Sequence, residues 1–166
     1  MPEQISVGQS LPETARRVAD LLQAMGHEYP VVMLPETGRT SAEAAAGLGC
    51  SVAEIAKSIV FRRTGDDAAV MVVASGANRV DEQKVAALVG PLSKADARFV
   101  REKIGYAIGG VCPVGHVGNT IMLIDQDLLQ FEKVWAAAGH PHAVFSLTPQ
   151  QLVAMTGAPV ADVASH

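Results

Sequence analysis

The residue best placed to do chemistry is Lys57, the one cation in the run Val52 to Phe61 (VAEIAKSIVF). Up to Ala56 the apolar spacing is helical, and from Ser58 onward it is strand-like, so the lysine is expected where a helix meets a strand. An ammonium in such a place is held and partly desolvated. A buried lysine is rare unless it is paired or used. Further along comes a glycine-rich loop, Gly109 to His116 (GGVCPVGH). Glycine lets a ligand approach the backbone closely, so the loop can present bare N–H groups. A fixed cation and a donor loop together suit a negatively charged or carbonyl-bearing substrate.

Other reactive side chains are weaker candidates. Cys112 and His116 have the types of a Cys–His nucleophile, but a small, unreactive loop residue accounts for Cys112 better. Zinc from His140, His142, His116 and Cys112 is conceivable by residue type, yet conventional ligand spacing is missing, so no metal and no cofactor is expected. Cys50 and Cys112 are too few for a disulfide framework. Lys94, Arg98 and Arg101 fall on one face if their segment is helical; a solvated face is the expectation there, with contact to an RNA stem as the alternative.

The elements that must position these groups can be read from caps and periodicity. Ser10 and Glu13 have the spacing of a capping box for a first helix that buries Leu11, Ala15, Val18, Leu22 and Met25 and stops at Gly26. A strand is expected over Tyr29 to Leu34. Thr40 and Glu43 cap a short helix ending near Gly49, and Ser51 and Glu54 cap the next, leading into Lys57. Ser58 to Arg63 and Ala68 to Ser75 read as strands of a hairpin. Asp81 caps a helix to Val89, with Val80 and Val85 as its staple, and another helix runs from about Lys94 to Lys103. Strands follow at Thr120 to Ile124, Val134 to Ala138 and Ala143 to Leu147, the last two joined by the turn Gly139 to His142. Thr148, Pro149 and Gln151 open a last helix that Gly157 ends. Strands and helices interleave, but several strand pairs are joined too tightly for parallel crossovers. The expected fold is therefore α/β with a mixed sheet, curled toward a barrel.

Composition bounds the function. The chain has 166 residues, 49% hydrophobic and 18% charged, which fits one globular domain over residues 1–166. No apolar stretch is long enough to span a membrane, and no basic segment followed by an apolar one opens the chain, so a cytoplasmic protein without membrane partners is expected. The net charge of −4 argues against autonomous binding to DNA or long RNA, though not against a local basic patch for one RNA end. The absence of a GxGxxG turn and of a P-loop removes the commonest nucleotide folds.

Three stretches occur in order: Ser41 to Gly49 (SAEAAAGLG) with Ile55 to Phe61 (IAKSIVF), then Gly109-Gly110 with Pro113, Gly115 and His116, then Leu147 to Leu152 (LTPQQL) with Thr156 to Ala158. Together they resemble the YbaK/prolyl-tRNA-synthetase-associated editing domains over nearly all the chain after the first helix. The resemblance implies a mixed, barrel-like sheet surrounded by helices, with residues 1–10 as a flexible N-terminus. It implies a free-standing aminoacyl-tRNA deacylase of Cys-tRNA(Pro) or Ala-tRNA(Pro) type, acting on mischarged aminoacyl-tRNA, with prolyl-tRNA synthetase as a further partner.

In that reading Lys57 is the essential lysine, binding the terminal nucleotide's phosphate or ribose oxygens or polarising the ester. The N–H of Gly110 faces the ester carbonyl, and Ser58 adds a hydroxyl contact. Gly109, Pro113 and Gly115 shape the rim, and Thr40, His116 and His140 are further substrate-binding candidates. Some Cys-directed members carry an aromatic residue near the position of Thr40, which this chain lacks. Two rivals remain: a non-catalytic module of the same fold that binds tRNA ends or a synthetase, and a Cys112-dependent hydrolase of small esters.

Overall fold

The computed structural model describes residues 6–7, 11–27, 29–35 and 40–165. Its strands are β1 (Ser6–Val7), β2 (Val32–Met33), β3 (Ile55–Arg63), β4 (Ala69–Ser75), β5 (Leu92–Lys94), β6 (Ile121–Asp125), β7 (Val134–Ala137), β8 (Ala143–Leu147) and β9 (Val160–Ala161). Five α-helices intervene: α1 (Glu13–Ala24), α2 (Ser41–Leu48), α3 (Glu82–Val89), α4 (Ala97–Lys103) and α5 (Pro149–Thr156). The sheet runs β1-β2-β8-β7-β3-β4-β6-β9, with β5 added on β3. The β3–β4 hairpin and the β7–β8 pair are antiparallel, whereas β3–β7, β4–β6 and β6–β9 are parallel. This is the mixed α/β architecture expected from the sequence.

β4 shows why the sheet sits centrally. All seven of its residues are buried. Strand side chains alternate between faces, and β4 divides accordingly. Ala69, Met71 and Val73 join Val18 and Leu22 of α1, Phe99 of α4 and Phe145 of β8 in one core. Val70, Val72 and Ala74 pack with Val85 of α3 and Val163 in a second. A third, smaller cluster puts Ala44 and Ala45 of α2 against Ile55, Leu34 and Val144. Helices therefore cover both faces.

Several local expectations need correction. The segment before Lys57 is only a single 3-10 turn, Val52–Glu54, with Ser51 and Glu54 forming its capping box. β3 begins at Ile55, so Lys57 lies inside a strand and not at a helix–strand junction. The spacing of Val52, Ile55 and Ala56 is helical, but pairing of Ile55 and Ala56 with Trp135 and Ala136 decides for the strand. The helix expected over Lys94–Lys103 is split. Lys94 ends β5, and Asp96 caps α4 by accepting the Phe99 N–H at 2.8 Å. Lys94 therefore shares no helical face with Arg98 and Arg101, and Arg98 is ion-paired with Glu102 at 2.9 Å.

Of the strand expected over Tyr29–Leu34, only Val32–Met33 forms. Ser10 lies outside the described residues; α1 starts after Pro12, which supplies no side-chain cap, and Met25 is exposed. Within the N-terminal segment expected to be flexible, Ser6 and Val7 pair with Met33 and Val32, while residues 1–5 and 8–10 lie outside the described residues. Among the described residues no helix is long and apolar enough to cross a membrane.

Candidate active site

Lys57 stands where the sheet opens. β3 pairs with β7 only at Ile55 and Ala56, and with β5 only from Phe61 onward. Between these contacts, the edge of β3 away from β4 has no strand partner among the described residues. A cavity of about 290 Å³ occupies this opening. Lys57, Ser58 and Ile59 line one side, Ala137 and Trp135 another, and Ile108, Gly109, Val111 and Pro141 close over it. Leu34, Thr40, Ser41 and Ala44, with Ile55, Ala56 and Val144, complete the wall. The lining is largely apolar, and among the described residues it includes no carboxylate, imidazole or thiol.

Lys57 is half-buried, and among the described residues its ammonium has no hydrogen bond or ion pair. Burial lowers its pKa from the ordinary lysine value, and the negative charge of Asp125 opposes that shift. Asp125 is itself fully buried at the end of β6. It accepts hydrogen bonds from the Ser75 N–H (3.0 Å), the Asn78 side-chain amide (2.8 Å) and the Asp127 N–H (2.9 Å). The carboxylate is thus fixed by donors and acts on Lys57 through its field. Ser58 Oγ is buried without a hydrogen-bond partner. An unsatisfied buried hydroxyl is costly and calls for an explanation; here it borders a cavity that can supply a partner.

The glycine loop is divided in its roles. Ala107 to Gly110 form a tight turn in which the Gly110 N–H donates to the Ala107 carbonyl at 2.9 Å, with Gly109 at φ +90°. That is the left-handed position a glycine takes most readily. The expected role of the Gly110 N–H as donor to a substrate carbonyl is therefore corrected: the turn already engages it. Gly110 matters instead for close approach, since a Cβ there would lie 2.7 Å from the backbone nitrogen of His140. Gly109 and the buried Val111 line the cavity on either side, and among the described residues their N–H groups have no hydrogen-bond partner.

Behind Val111 the loop turns inward. Pro113 is buried and lines no part of the cavity. Gly115 packs by the Tyr106 hydroxyl, which donates to the Val114 carbonyl at 2.7 Å. His116 contacts the Cys112 carbonyl through Nε2 (2.7 Å) and the Thr120 hydroxyl through Nδ1 (2.9 Å). A carbonyl only accepts, so Nε2 carries the proton and Nδ1 accepts from Thr120. Burial lowers the His116 pKa, partly offset by the Cys112 carbonyl. His116 is thus a clasp within the loop, away from the cavity, and Gly115 and Pro113 belong with it.

His140 contributes backbone against Gly110, and its Nδ1 accepts the His142 N–H at 3.1 Å. It does not line the cavity; its neighbour Pro141 does. Thr40 does reach the wall, but its hydroxyl is engaged in the α2 capping box, accepting from the Glu43 N–H and donating to its carboxylate. Cys112 is fully buried, and burial pushes its thiol up to about 12, which leaves no thiolate at neutral pH. Among the described residues no three His, Cys, Asp or Glu side chains gather as a metal site.

Sequence reasoning missed Trp135, Ile108, Val111 and Pro141 as cavity wall and Asp125 as the charge behind Lys57. The first four look like ordinary apolar and turn residues. Asp125 carried a faint signal, as the only charge in the strand IMLID. A larger hollow of about 630 Å³ runs along α1, past Arg16, His27 and Tyr29, but it shares no lining residue with the Lys57 cavity.

A pattern specific to aminoacyl-tRNA editing domains matches residues 35–155, which include every residue of this cavity but Leu34. The chain belongs to that family. A solved structure described as a candidate trans-editing enzyme for prolyl tRNA synthetase is 46% identical, covers 95% of this chain and 100% of its own, and superposes with a TM-score of 0.89. The hypothetical protein APE2540 is 35% identical, with a TM-score of 0.81 over 90% of this chain and 99% of its own. The uncharacterized protein YwhH of Bacillus subtilis (strain 168) is 32% identical over 126 residues, 75% of this chain and 80% of the relative.

Proposed function

We propose that this editing domain is a trans-acting deacylase. It would hydrolyse the ester joining a small, uncharged, wrongly attached amino acid to the 3′ end of tRNA, of the Cys-tRNA(Pro) or Ala-tRNA(Pro) type. The observation that carries the reading is a partly desolvated lysine, without an ion partner among the described residues, at the wall of a small apolar cavity, in a chain of this family. A synthetase discriminates poorly between amino acids that differ by a methylene, because that difference is worth only ~1–3 kcal/mol. A second hydrolytic site that sieves by size corrects the error.

An aminoacyl ester is already activated, so the protein has to orient it and stabilise charge. Lys57 holds phosphate or ribose oxygens of the terminal nucleotide as a point charge. The N–H groups of Gly109 and Val111 take the role of carbonyl donors, and Ser58 Oγ finds a partner in the bound aminoacyl group. No described wall residue is a conventional base, which favours attack by water with the substrate's own amine or hydroxyl taking the proton. Water adds to the carbonyl carbon, the bond to the ribose oxygen breaks, and that oxygen leaves with a proton. For a cysteinyl ester, the substrate thiol can attack the carbonyl carbon in place of water: the C–S bond forms, the bond to the ribose oxygen breaks, that oxygen leaves with the thiol proton, and water then opens the released thiolactone.

The test is a deacylation screen over a panel of mischarged tRNAs. Release of Ala, Cys, Ser or Pro with little release of Arg, Glu or Trp supports the reading. Tight binding of the tRNA end without release of any amino acid would establish the non-catalytic module instead.

A further inference from the structure

Lys57 and Ile59 line two cavities. The inner one is the candidate active site; the other, about 400 Å³, is an outer groove formed with Phe61, the segment Ala77–Val80 and Glu82 at the start of α3. We propose that this outer groove binds the RNA strand just before the terminal nucleotide, with Arg79 as its phosphate ligand. The inference rests on the deacylase reading and adds the path of the nucleic acid to it.

Three observations support the assignment. Elsewhere on the protein Arg62, Arg63, Lys84 and Arg98 each meet a carboxylate. The two cations of the groove do not: among the described residues, the side chains of Lys57 and Arg79 have neither hydrogen bond nor ion pair. Against them stands one groove carboxylate, that of Glu82. In a chain of net charge −4, a groove left with an excess of cations suits an anion.

Second, Arg79 is exposed on a segment that is itself held. Asn78 donates to Asp125 and Asp127, each at 2.8 Å. The Arg79 carbonyl accepts the Ser165 N–H at 2.8 Å, and the Asp81 N–H donates to Val163 at 2.7 Å. Gly76 lets the segment leave β4 closely, since a Cβ there would lie 2.5 Å from the Val52 carbonyl oxygen. The backbone is therefore fixed while the guanidinium stays free, which limits the ordering cost of binding. Third, Ile59, Phe61, Ala77 and Val80 give the groove an apolar floor for ribose and base faces between two phosphate contacts. The shared Lys57–Ile59 rim lets one strand lie in the groove while its acylated end turns into the inner cavity.

The experiment measures binding of the RNA tetranucleotide 5′-ACCA-3′ over a range of salt to the wild type and to Arg79→Ala, Arg79→Lys and Arg98→Ala. Each phosphate contact to a single strand contributes about 0.7 to the salt slope. Arg79→Ala should weaken binding and reduce the slope by about that amount. Arg79→Lys should retain most of the slope, and Arg98→Ala, outside the groove, should leave both unchanged. Equal binding by Arg79→Ala and the wild type overturns the proposal. So does an equal loss in Arg98→Ala, which would mark diffuse charge, or displacement of the RNA by an acidic peptide as readily as by RNA. No binding by the wild type at low salt overturns it as well. A wild type that binds through Arg79 but deacylates nothing would defeat the deacylase reading alone. A wild type that deacylates while Arg79→Ala binds normally would defeat the groove alone.

Discussion

At the far end of β3, Arg62 and Arg63 each face a carboxylate of the turn that follows. Arg63 meets Asp66 at 2.7 Å, and Arg62 Nε lies 3.5 Å from Asp67, an ion pair without hydrogen-bond geometry. Arg62 also lies over the Phe99 ring, 5.0 Å from its centroid. Near the start of the same strand, Lys57 has neither carboxylate nor ring in contact among the described residues. The turn carboxylates answer the arginines at the partly exposed end of the hairpin, where such pairs contribute little to stability. Lys57 has its charge beside a cavity, with Asp125 behind it and held by other donors. A cation left, among the described residues, without a contact partner and partly withdrawn from water is the end of β3 that can meet a ligand.

The largest effect should come from removing that difference. Lys57→Ala should leave the fold intact and lower deacylation about 100- to 1000-fold, the scale for losing one fixed group that stabilises transition-state charge. Full activity in a folded variant would remove the central claim. Stability carries a second sign. The folded-state pKa of Lys57 lies below its unfolded value, so between the two the unfolded chain binds more protons and stability rises with pH. The charged lysine therefore opposes folding at neutral pH. Lys57→Met should unfold at a temperature no lower than the wild type at pH 7. As the pH rises through the lowered pKa toward the lysine value, the wild type should gain relative to the variant.

Next in size is the packing that shapes the cavity. Gly110→Ala puts a methyl group 2.7 Å from His140 backbone, and backbone cannot rotate away as a flexible side chain can. Overpacking of this kind costs about 1–3 kcal/mol. Because the displaced turn also carries Gly109 and Val111, denaturant unfolding and deacylation should both fall. A stable variant with full activity would show that the turn tolerates a shift and does not set the donor geometry.

The loop also shows how far the sequence could be read. The mixed sheet and most helix caps were legible, and so was the meeting of Lys57 with the Gly109 end of the loop at one opening, because caps, periodicity and glycine requirements are local. The division of the loop was not. Gly110 and His116 have residue types that fit a site, and only the turn closed on Ala107 and the clasp between Cys112 and Thr120 show that their polar groups are already engaged. The opening between β7 and β5 was illegible for the same reason. It arises from which strands stop pairing with β3, and nothing within residues 57–60 records that. The split of Lys94–Lys103 into strand and helix turned on Asp96, a cap set inside a segment whose apolar spacing alone ran on.

His116→Ala should separate the back of the loop from its front. It leaves the buried Cys112 carbonyl and the Thr120 hydroxyl without their partner, at about 1–3 kcal/mol of stability. Deacylation by the protein that remains folded should change little, because His116 does not line the cavity. Its pH dependence follows from the neutral ring. The folded-state pKa is lowered, so the stabilisation is complete above the unfolded value near 6.5 and is lost as pH falls through the lower folded value. Acid unfolding should therefore begin earlier in the wild type, relative to its neutral stability, than in His116→Ala. A collapse of kcat at unchanged stability would return His116 to the catalytic machinery.

The smallest effects test the other half of the β3 comparison and the rival nucleophile. Arg63→Ala removes the ion pair with Asp66 and a hydrogen bond to the Val89 carbonyl, both at the hairpin end away from the cavity. Deacylation should be unchanged. The pair holds the Asp66 carboxyl at about 2, well below the usual carboxylate range, so any stabilisation it gives should persist at neutral pH and fade as the pH falls toward that value. Cys112→Ser should likewise leave the rate per folded molecule near wild type, with some loss of stability from placing a hydroxyl in a fully buried site. Thiol-blocking reagents should react slowly, since the buried thiol is not ionised at neutral pH. If Cys112→Ser abolished activity while Lys57→Ala kept it, both variants remaining folded, the Cys–His hydrolase would stand. The lysine would then be what the arginines of its strand are, a charge that the fold accommodates and the chemistry does not use.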